Sequence, residues 1–266
     1  MKGKIKLVVS DMDGTLLNDQ HELHPDFFYL YEKLKVQNIL FVPASGRQYY
    51  SILHYFEPIK NEIAIIAENG SYVTYKDEVL FTDELDQQKV RDIILAIRKI
   101  SGANIVVCGA KHAYVESKEE NFRQIFAQFY YQNQLVEDVL TALQDDRIIK
   151  IAVHHPINAE EYLYPALANF NHEQLKVVVS GPYWIDIMNV KTNKGNALQN
   201  LQKKLGIKPE ETLVFGDYLN DLEMLQNATY SYAMDNAHPL VKAQAKYTAK
   251  SNNDYGVIEI LRQLVD

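Results

Sequence analysis

Cysteine is nearly absent from this sequence, and the one that it contains, Cys108, lies in an apolar stretch. A single thiol cannot form an internal disulfide, which is typical of proteins in reducing compartments. We therefore expect a cytoplasmic protein with Cys108 in its core. Apolar runs long enough to span a membrane are also missing, and the run near the amino terminus is too short for a signal peptide. No membrane partner is expected.

Runs of basic residues are missing as well, and the formal net charge is −8 at pH 7. Such a chain repels the phosphates of nucleic acid, so we expect no nucleic-acid partner. A small phosphorylated molecule is still compatible with this charge, because one local cation can override the overall field. The 266 residues suffice for one large domain or two smaller ones. No feature of the sequence indicates the oligomeric state.

Two aspartates follow the first apolar run of the chain. Leu7–Val9 suits a strand that is covered on both faces, and Asp11 and Asp13 come directly after it. In open α/β sheets, ligands bind just past the carboxyl ends of the strands. Two carboxylates this close repel each other unless a divalent cation lies between them. The alternative is a simple turn, since Asp-x-Asp-Gly is favourable turn chemistry.

The same order of strand, polar loop and helix recurs before and after a different middle segment. It predicts an α/β fold with a doubly wound parallel sheet, formed by residues 1–84 and 189–266. Residues 85–188 are predicted to form an inserted α+β domain with an antiparallel sheet and a helix over 158–170. Candidates for a substrate-facing surface in this insertion are His154, His155, Tyr183 and Trp184, although core packing is favoured for the tryptophan.

Further polar clusters follow other predicted strands or begin helices, and a doubly wound sheet brings such loops to one edge. They are Ser45-Gly46-Arg47, Lys194, and Asp217 with Asn220 and Asp221.

Each cluster has a structural alternative. Ser45 could cap the following helix, and Asp221 could stabilise the first turn of its own helix. Lys194 is more informative, because a lysine in the first turn of a helix opposes the helix dipole and therefore points to a functional site. Lys191 is a competitor for the same role.

With these residues in view, the sequence resembles the haloacid dehalogenase-like hydrolases, and within them the Cof-type phosphatases. The stretches that match the four family motifs in order are Asp11-Met12-Asp13-Gly14-Thr15, Ala44-Ser45-Gly46-Arg47, Lys194-Gly195 and Gly216-Asp217-Tyr218-Leu219-Asn220-Asp221. Met234-Asp235-Asn236-Ala237 resembles a further Cof-type stretch. The resemblance spans the chain and implies a Rossmann-like core with a large cap between the second and third motifs. Serine rather than threonine at position 45 is the one departure, and it keeps the hydroxyl.

The resemblance implies a catalytic role for four residues. Asp11 would attack phosphorus, and Asp13 would serve as acid and then as base. Ser45 and Lys194 would bind the phosphoryl oxygens. Mg²⁺ would be held by Asp11, the backbone carbonyl of Asp13, and Asp217.

The remaining motif residues would surround these groups. Substrate contacts are implied for Gly14, Thr15, Gly46, Arg47 and Asn220. Asp221, together with Asn220, would orient metal-bound water or Lys194, and how the two divide this task stays open.

The function implied is Mg²⁺-dependent hydrolysis of phosphate monoesters of small metabolites, with sugar phosphates as an expected class. The inserted domain would close over the site and recognise the leaving group. A phosphomutase of similar architecture is one alternative. A phospho-aspartate regulatory module is another, although a long-lived signal needs neither Asp13 nor a cap.

Overall fold

The structure is a computed structural model that describes residues 3–266. Its strands are β1 Leu7–Asp11, β2 Leu40–Ala44, β3 Ala64–Ala67, β4 Tyr72–Tyr75, β5 Glu78–Thr82, β6 Asn104–Gly109, β7 Ala113–Val115, β8 Asn133–Leu135, β9 Ile148–His154, β10 Leu175–Gly181, β11 Trp184–Asn189, β12 Thr212–Gly216, β13 Tyr230–Met234 and β14 Tyr247–Ala249. Its α-helices are α1 Phe27–Val36, α2 Tyr49–Phe56, α3 Gln87–Ile97, α4 Glu120–Phe129, α5 Ala142–Asp145, α6 Ala159–Tyr162, α7 Tyr164–Leu167, α8 Lys194–Leu205, α9 Leu222–Gln226, α10 Pro239–Gln244 and α11 Gly256–Val265.

The chain divides into two compact units. The first runs to Phe81 and resumes over Asn193–Asp266, and the second is Thr82–Thr192. The sequence predicted domains with boundaries at 84/85 and 188/189. That these domains fold independently stays a prediction.

An eight-stranded sheet forms the centre of the first unit, in the order β14-β13-β12-β1-β2-β3-β4-β5. The strands from β14 to β3 pair in parallel, whereas β4 is antiparallel to β3. The central strands are buried along their whole length because helices cover both faces of such a sheet. The predicted α/β fold class is confirmed. The hairpin of β4 and β5 turns at Lys76 and Asp77, whose φ angles are 54° and 63°.

A six-stranded sheet in the order β10-β11-β9-β6-β7-β8 forms the second unit. Its pairs are antiparallel as predicted, except that β7 and β8 are parallel. The apolar side chains of one face, among them Val107, Ile151 and Ile187, pack with those of α3 and α7 in a single core.

One expectation for the second unit is wrong. The predicted helix over 158–170 is broken into α6, α7 and a 3-10 turn, because Pro165 cannot donate the backbone hydrogen bond that a continuous helix needs. Of the candidate substrate-facing residues, His154 and His155 are buried, and Trp184 packs as expected, with its ring 4.9 Å from that of His154. Contact of these residues with substrate stays a prediction. Cys108 is buried as predicted.

An aromatic cluster fixes α1 and α2 against β2 in the first unit. The rings of Phe27, Phe41 and Phe56 are fully buried, and the centroid of Phe27 lies 5.0 Å from that of Phe41 and 5.6 Å from that of Phe56. Such edge-to-face contacts add to the free energy of burial. The cluster therefore stabilises the strand that ends at Ser45.

We expect Phe27→Ala to lower the free energy of unfolding by about 3–5 kcal/mol, because it leaves a cavity among these rings. Phe28, the next residue, is 37% exposed, and Phe28→Ala is the matched control with an expected loss below about 1 kcal/mol. Urea unfolding followed by circular dichroism measures both. Equal losses in the two variants would contradict this assignment of the core.

Candidate functional site

Three polar loops meet at one edge of the eight-stranded sheet. Strand β1 ends with Asp11, and it pairs in parallel with β2, which leads into Ser45, and with β12, which leads into Asp217. The carboxyl ends of adjacent parallel strands lie side by side. The pairing of β1 with β2 and β12 therefore confirms the prediction that the loops after these strands lie at one edge of the sheet.

Lys194 lies at the centre of this edge. It is the first residue of α8, its side chain is fully buried, and Nζ donates to Oδ1 of Asp11 and, at 2.7 Å, to Oδ1 of Asp221. Burial alone would lower the pKa of Lys194, but the two carboxylates outweigh it, and the pKa lies above its ordinary value. The ammonium group is therefore charged. The competing Lys191 is exposed and lies in the second unit.

Asp221 connects Lys194 to the loop after β12. Its Oδ2 accepts hydrogen bonds from the backbone N–H of Asp217 at 3.0 Å and of Tyr218 at 3.2 Å. A Cβ at position 216 would lie 2.6 Å from Cβ of Asp221, so only glycine fits there. Because both carboxylate oxygens are occupied, Asp221 holds the loop and the lysine in one geometry. The bond from Tyr218 belongs to a capping box of the 3-10 turn Leu219–Asp221, so the capping alternative holds for that contact, but it does not account for the bond to Lys194.

Asp217 packs against the turn that follows Asp13. Oγ1 of Thr15 donates to Oδ1 of Asp217 at 2.9 Å, and a Cβ on Gly14 would lie 2.4 Å from Oδ2 of Asp217. Gly14 also has a φ of 76°, which favours glycine. Nδ2 of Asn236 donates to the carbonyl of Gly14 at 2.8 Å. The sequence assigned no role to Asn236, although the stretch around it carried a family signal.

The carboxylates of Asp11, Asp217 and Asp221 can bring one oxygen each within 4.8 Å of one another. Burial raises the pKa of Asp11 well above its usual range; Lys194 opposes this shift, and the charges of Asp221 and Asp217 add to it. Burial and the charge of Asp221 raise the pKa of Asp217 to about 6. One lysine therefore does not balance these charges. Such a set of hard oxygen donors fits a divalent cation.

The carboxylate of Asp13 is directed to Arg47. Nε of Arg47 donates to Oδ2 of Asp13 at 2.7 Å and its NH2 group to Oδ1 at 2.5 Å, while Nδ1 of His21 lies 3.1 Å from the same Oδ1. Burial would raise the pKa of Asp13, but the hydrogen bonds and charge of Arg47, with His21, hold it below its ordinary value. The hydroxyl of Tyr55 lies 3.3 Å from the NH1 group of Arg47 and donates to the carbonyl of His21.

These partners of Asp13 were not evident from the sequence. The predicted contact of Arg47 with substrate stays a prediction, and in this structure its guanidinium contacts Asp13. His21 and Tyr55 belong to no motif quoted above, so only the folded chain brings them to Asp13. The φ of His21, 59°, marks it as an unusual residue, but no sequence pattern indicated that angle.

Ser45 and Asn220 lie in the remaining two motif loops. Ser45 is buried, and its Oγ accepts a hydrogen bond from the backbone N–H of Arg47 at 3.1 Å. Helix α2 begins later, with Gln48 at its N-cap position, so Ser45 is not the cap of that helix. Nδ2 of Asn220 donates to Oδ1 of Asn69 at 3.1 Å.

The family model for haloacid dehalogenase-like hydrolases matches residues 8–261. The chain belongs to the haloacid dehalogenase-like hydrolases. This confirms the resemblance that the four motifs indicated.

Relatives of similar length include a named phosphatase and solved structures with the same fold. The chain is 36% identical to the 5-amino-6-(5-phospho-D-ribitylamino)uracil phosphatase YbjI of Escherichia coli K12, over 98% of this chain and 96% of that protein. A solved structure from Streptococcus mutans shares 31% identity over 97% and 98% of the two chains, with a TM-score of 0.85. A haloacid dehalogenase-like hydrolase from Bacteroides thetaiotaomicron shares 25% identity over 98% and 99%, with a TM-score of 0.89.

The chain is therefore a phosphatase of this family, a hydrolase of phosphoric monoesters. This class favours hydrolysis over the phosphomutase and regulatory alternatives. Among the helices that the structure describes, none combines the length and the apolar character needed to cross a membrane.

Lys194→Met should reduce the turnover of an aryl phosphate by about 10³-fold, because the variant loses the buried cation beside Asp11. Lys191→Met is the matched control, and we expect its turnover to stay within about twofold of the wild type, as for other exposed substitutions. Steady-state kinetics measures both, with circular dichroism to verify folding. A folded Lys194→Met protein with more than a tenth of wild-type turnover would contradict the central position given to Lys194.

Proposed function

We propose that this protein is a Mg²⁺-dependent phosphatase that transfers the phosphoryl group of its substrate to Asp11 and then to water. The observation that carries the proposal is the buried ammonium of Lys194 between Asp11 and Asp221, next to Asp217. A folded protein has little reason to bury two carboxylates around one lysine, with a third, partly buried carboxylate beside them, unless the site also receives a cation and an anionic group.

In the first step, a carboxylate oxygen of Asp11 attacks phosphorus as the bond to the leaving oxygen breaks. Asp13 gives a proton to the departing alkoxide, which leaves as an alcohol. Lys194 and the hydroxyl of Ser45 stabilise the charge on the phosphoryl oxygens. The backbone N–H groups of Gly46 and of the Gly14–Thr15 turn are further donors for these oxygens.

In the second step, water attacks the phosphorus of phospho-Asp11. Asp13, now a carboxylate, takes a proton from this water, and the bond between phosphorus and the Asp11 oxygen breaks. Inorganic phosphate leaves, and Asp11 and Asp13 return to their starting states. The ion pair with Arg47 favours the carboxylate form of Asp13 that this second step needs.

The residues that would hold Mg²⁺ are Asp11, Asp217 and the backbone carbonyl of Asp13. The fit rests on the geometry of the carboxylates, whose oxygens lie within 4.8 Å of one another, and it agrees with the raised pKa of Asp11 and Asp217, which a bound cation would lower. When bound, Mg²⁺ supplies positive charge that offsets repulsion between Asp11 and an anionic substrate. Asp221 would not be a ligand, since its oxygens already accept from Lys194 and two backbone N–H groups.

The proposed substrates are phosphate esters of sugars and polyols. The Escherichia coli relative is named for a substrate with a phosphorylated ribityl chain, which is a sugar-like alcohol phosphate. That compound is the first to assay with this chain, beside simple sugar phosphates. A cytoplasmic location, where such metabolites occur, is part of the same proposal.

With Mg²⁺, the protein should hydrolyse an aryl phosphate, and EDTA should stop the reaction reversibly. Asp11→Asn should abolish turnover without unfolding the protein, because an amide is a poor nucleophile toward phosphorus. Asp26→Asn, which changes an exposed carboxylate that pairs with Arg262, is the control. Phosphate release by freshly purified Asp11→Asn at the wild-type rate, with deamidation excluded by mass spectrometry, would refute the proposed chemistry.

Arg47→Met should lower kcat on sugar phosphates at least about tenfold more than kcat on 4-nitrophenyl phosphate. Loss of Arg47 raises the pKa of Asp13, but it also removes the two hydrogen bonds that orient the carboxyl group. The misplaced acid then affects substrates whose alkoxide needs a proton, whereas nitrophenolate leaves without one. The comparison of kcat on the two substrates measures this, with Arg262→Met as the control for removal of an exposed arginine. A rise in KM of equal size on both substrates, with kcat unchanged, would instead assign Arg47 to substrate binding.

A further inference from the structure

The loop Glu68-Asn69-Gly70 after β3 has an unusual backbone. Its three residues have φ angles of 49°, 54° and 100° in succession. For residues other than glycine this left-handed region costs free energy, and asparagine tolerates it better than glutamate. Such strain persists only where the surrounding structure holds it in place.

Backbone hydrogen bonds hold this loop against the second motif. The N–H of Glu68 donates to the carbonyl of Arg47 at 3.0 Å, and the N–H of Asn69 donates to the carbonyl of Ser45, also at 3.0 Å. The strained conformation thus fixes the position of Asn69 beside the Ser45-Gly46-Arg47 turn.

The other side of the loop lies against the start of α8. A Cβ on Gly70 would lie 2.4 Å from the carbonyl oxygen of Asn193, the N-cap residue that precedes Lys194. Glycine is therefore required at position 70. The loop lies between the residue that carries the predicted phosphoryl-binding hydroxyl and the helix that carries the lysine.

The two polar atoms of the Asn69 amide differ in their hydrogen bonding. Oδ1 accepts a hydrogen bond from Nδ2 of Asn220 at 3.1 Å, which orients the amide. The whole amide lies beside the second motif, since Nδ2 is 3.0 Å and Oδ1 3.1 Å from the place that a Cβ on Gly46 would occupy. Within residues 3–266, no protein group accepts a hydrogen bond from this Nδ2.

We propose that Nδ2 of Asn69 donates a hydrogen bond to a phosphoryl oxygen of the bound substrate. This inference rests on the proposed function, because it adds a donor to the same phosphoryl site. Ser45, Lys194 and Asn69 then approach the phosphoryl group from three different loops. The alternative is a purely structural role, in which Asn69 only supports Asn220 through Oδ1.

Two substitutions separate these roles. Asn69→Asp keeps an acceptor for Asn220 but removes the donor and adds a negative charge that repels phosphate. Asn69→Gly removes the side chain and suits the left-handed backbone. The matched control is Asn38→Gly, since Asn38 is exposed, has a φ of 57° and lies just after α1.

The first measurement is the rise in Tm that inorganic phosphate with Mg²⁺ causes, which requires no turnover. The second is kcat/KM on 4-nitrophenyl phosphate. We expect about a 10–100-fold loss of phosphate affinity and of kcat/KM in Asn69→Asp, a smaller loss in Asn69→Gly, and no change in Asn38→Gly.

Phosphate affinity within twofold of the wild type in both Asn69 variants would overturn the inference. So would losses in Asn69→Gly alone, because they would show that the contact with Asn220 is what matters. If the wild-type protein binds phosphate but does not hydrolyse esters, the proposed function fails, and the phosphate-binding comparison still decides the role of Asn69.

Discussion

The ion pairs of Lys194 are the constraint on which the site depends. A fully buried ammonium is stable only with carboxylates in contact with it, and Asp11 and Asp221 provide them. These contacts join the end of β1, the start of α8 and the loop after β12. Removal of the lysine would leave two buried carboxylates unpaired. The arrangement therefore favours a cation and a phosphoryl group at the same place.

Close packing around the carboxylates follows from this constraint. Gly14 and Gly216 leave no room for a side chain, because a Cβ at either position would overlap Asp217 or Asp221. The cluster is therefore preorganised by backbone geometry, and little reorganisation is needed when charge develops on a phosphoryl group. Asp13 has a separate set of partners, Arg47 and His21, which supports the proposal that its carboxyl group serves the leaving oxygen and then water.

Much of the fold and the main carboxylates could be predicted from the sequence, because buried parallel strands followed by polar loops have a clear pattern. A functional role for Lys194 could also be predicted, because a lysine in the first turn of a helix opposes the helix dipole. The contacts of Arg47 and the position of Asn69 could not be predicted from the sequence. They depend on a left-handed backbone and on which side chains meet across loops distant in sequence, and residue types do not specify either.

The account can be tested most directly by trapping the intermediate. After rapid mixing of enzyme, Mg²⁺ and substrate, reduction with borohydride converts an acyl phosphate on aspartate to homoserine, which peptide mass spectrometry can locate. The account predicts homoserine at position 11, formed only in the presence of substrate. Phosphate release in the same reaction with Asp11 unmodified, or with homoserine at another aspartate, would contradict it.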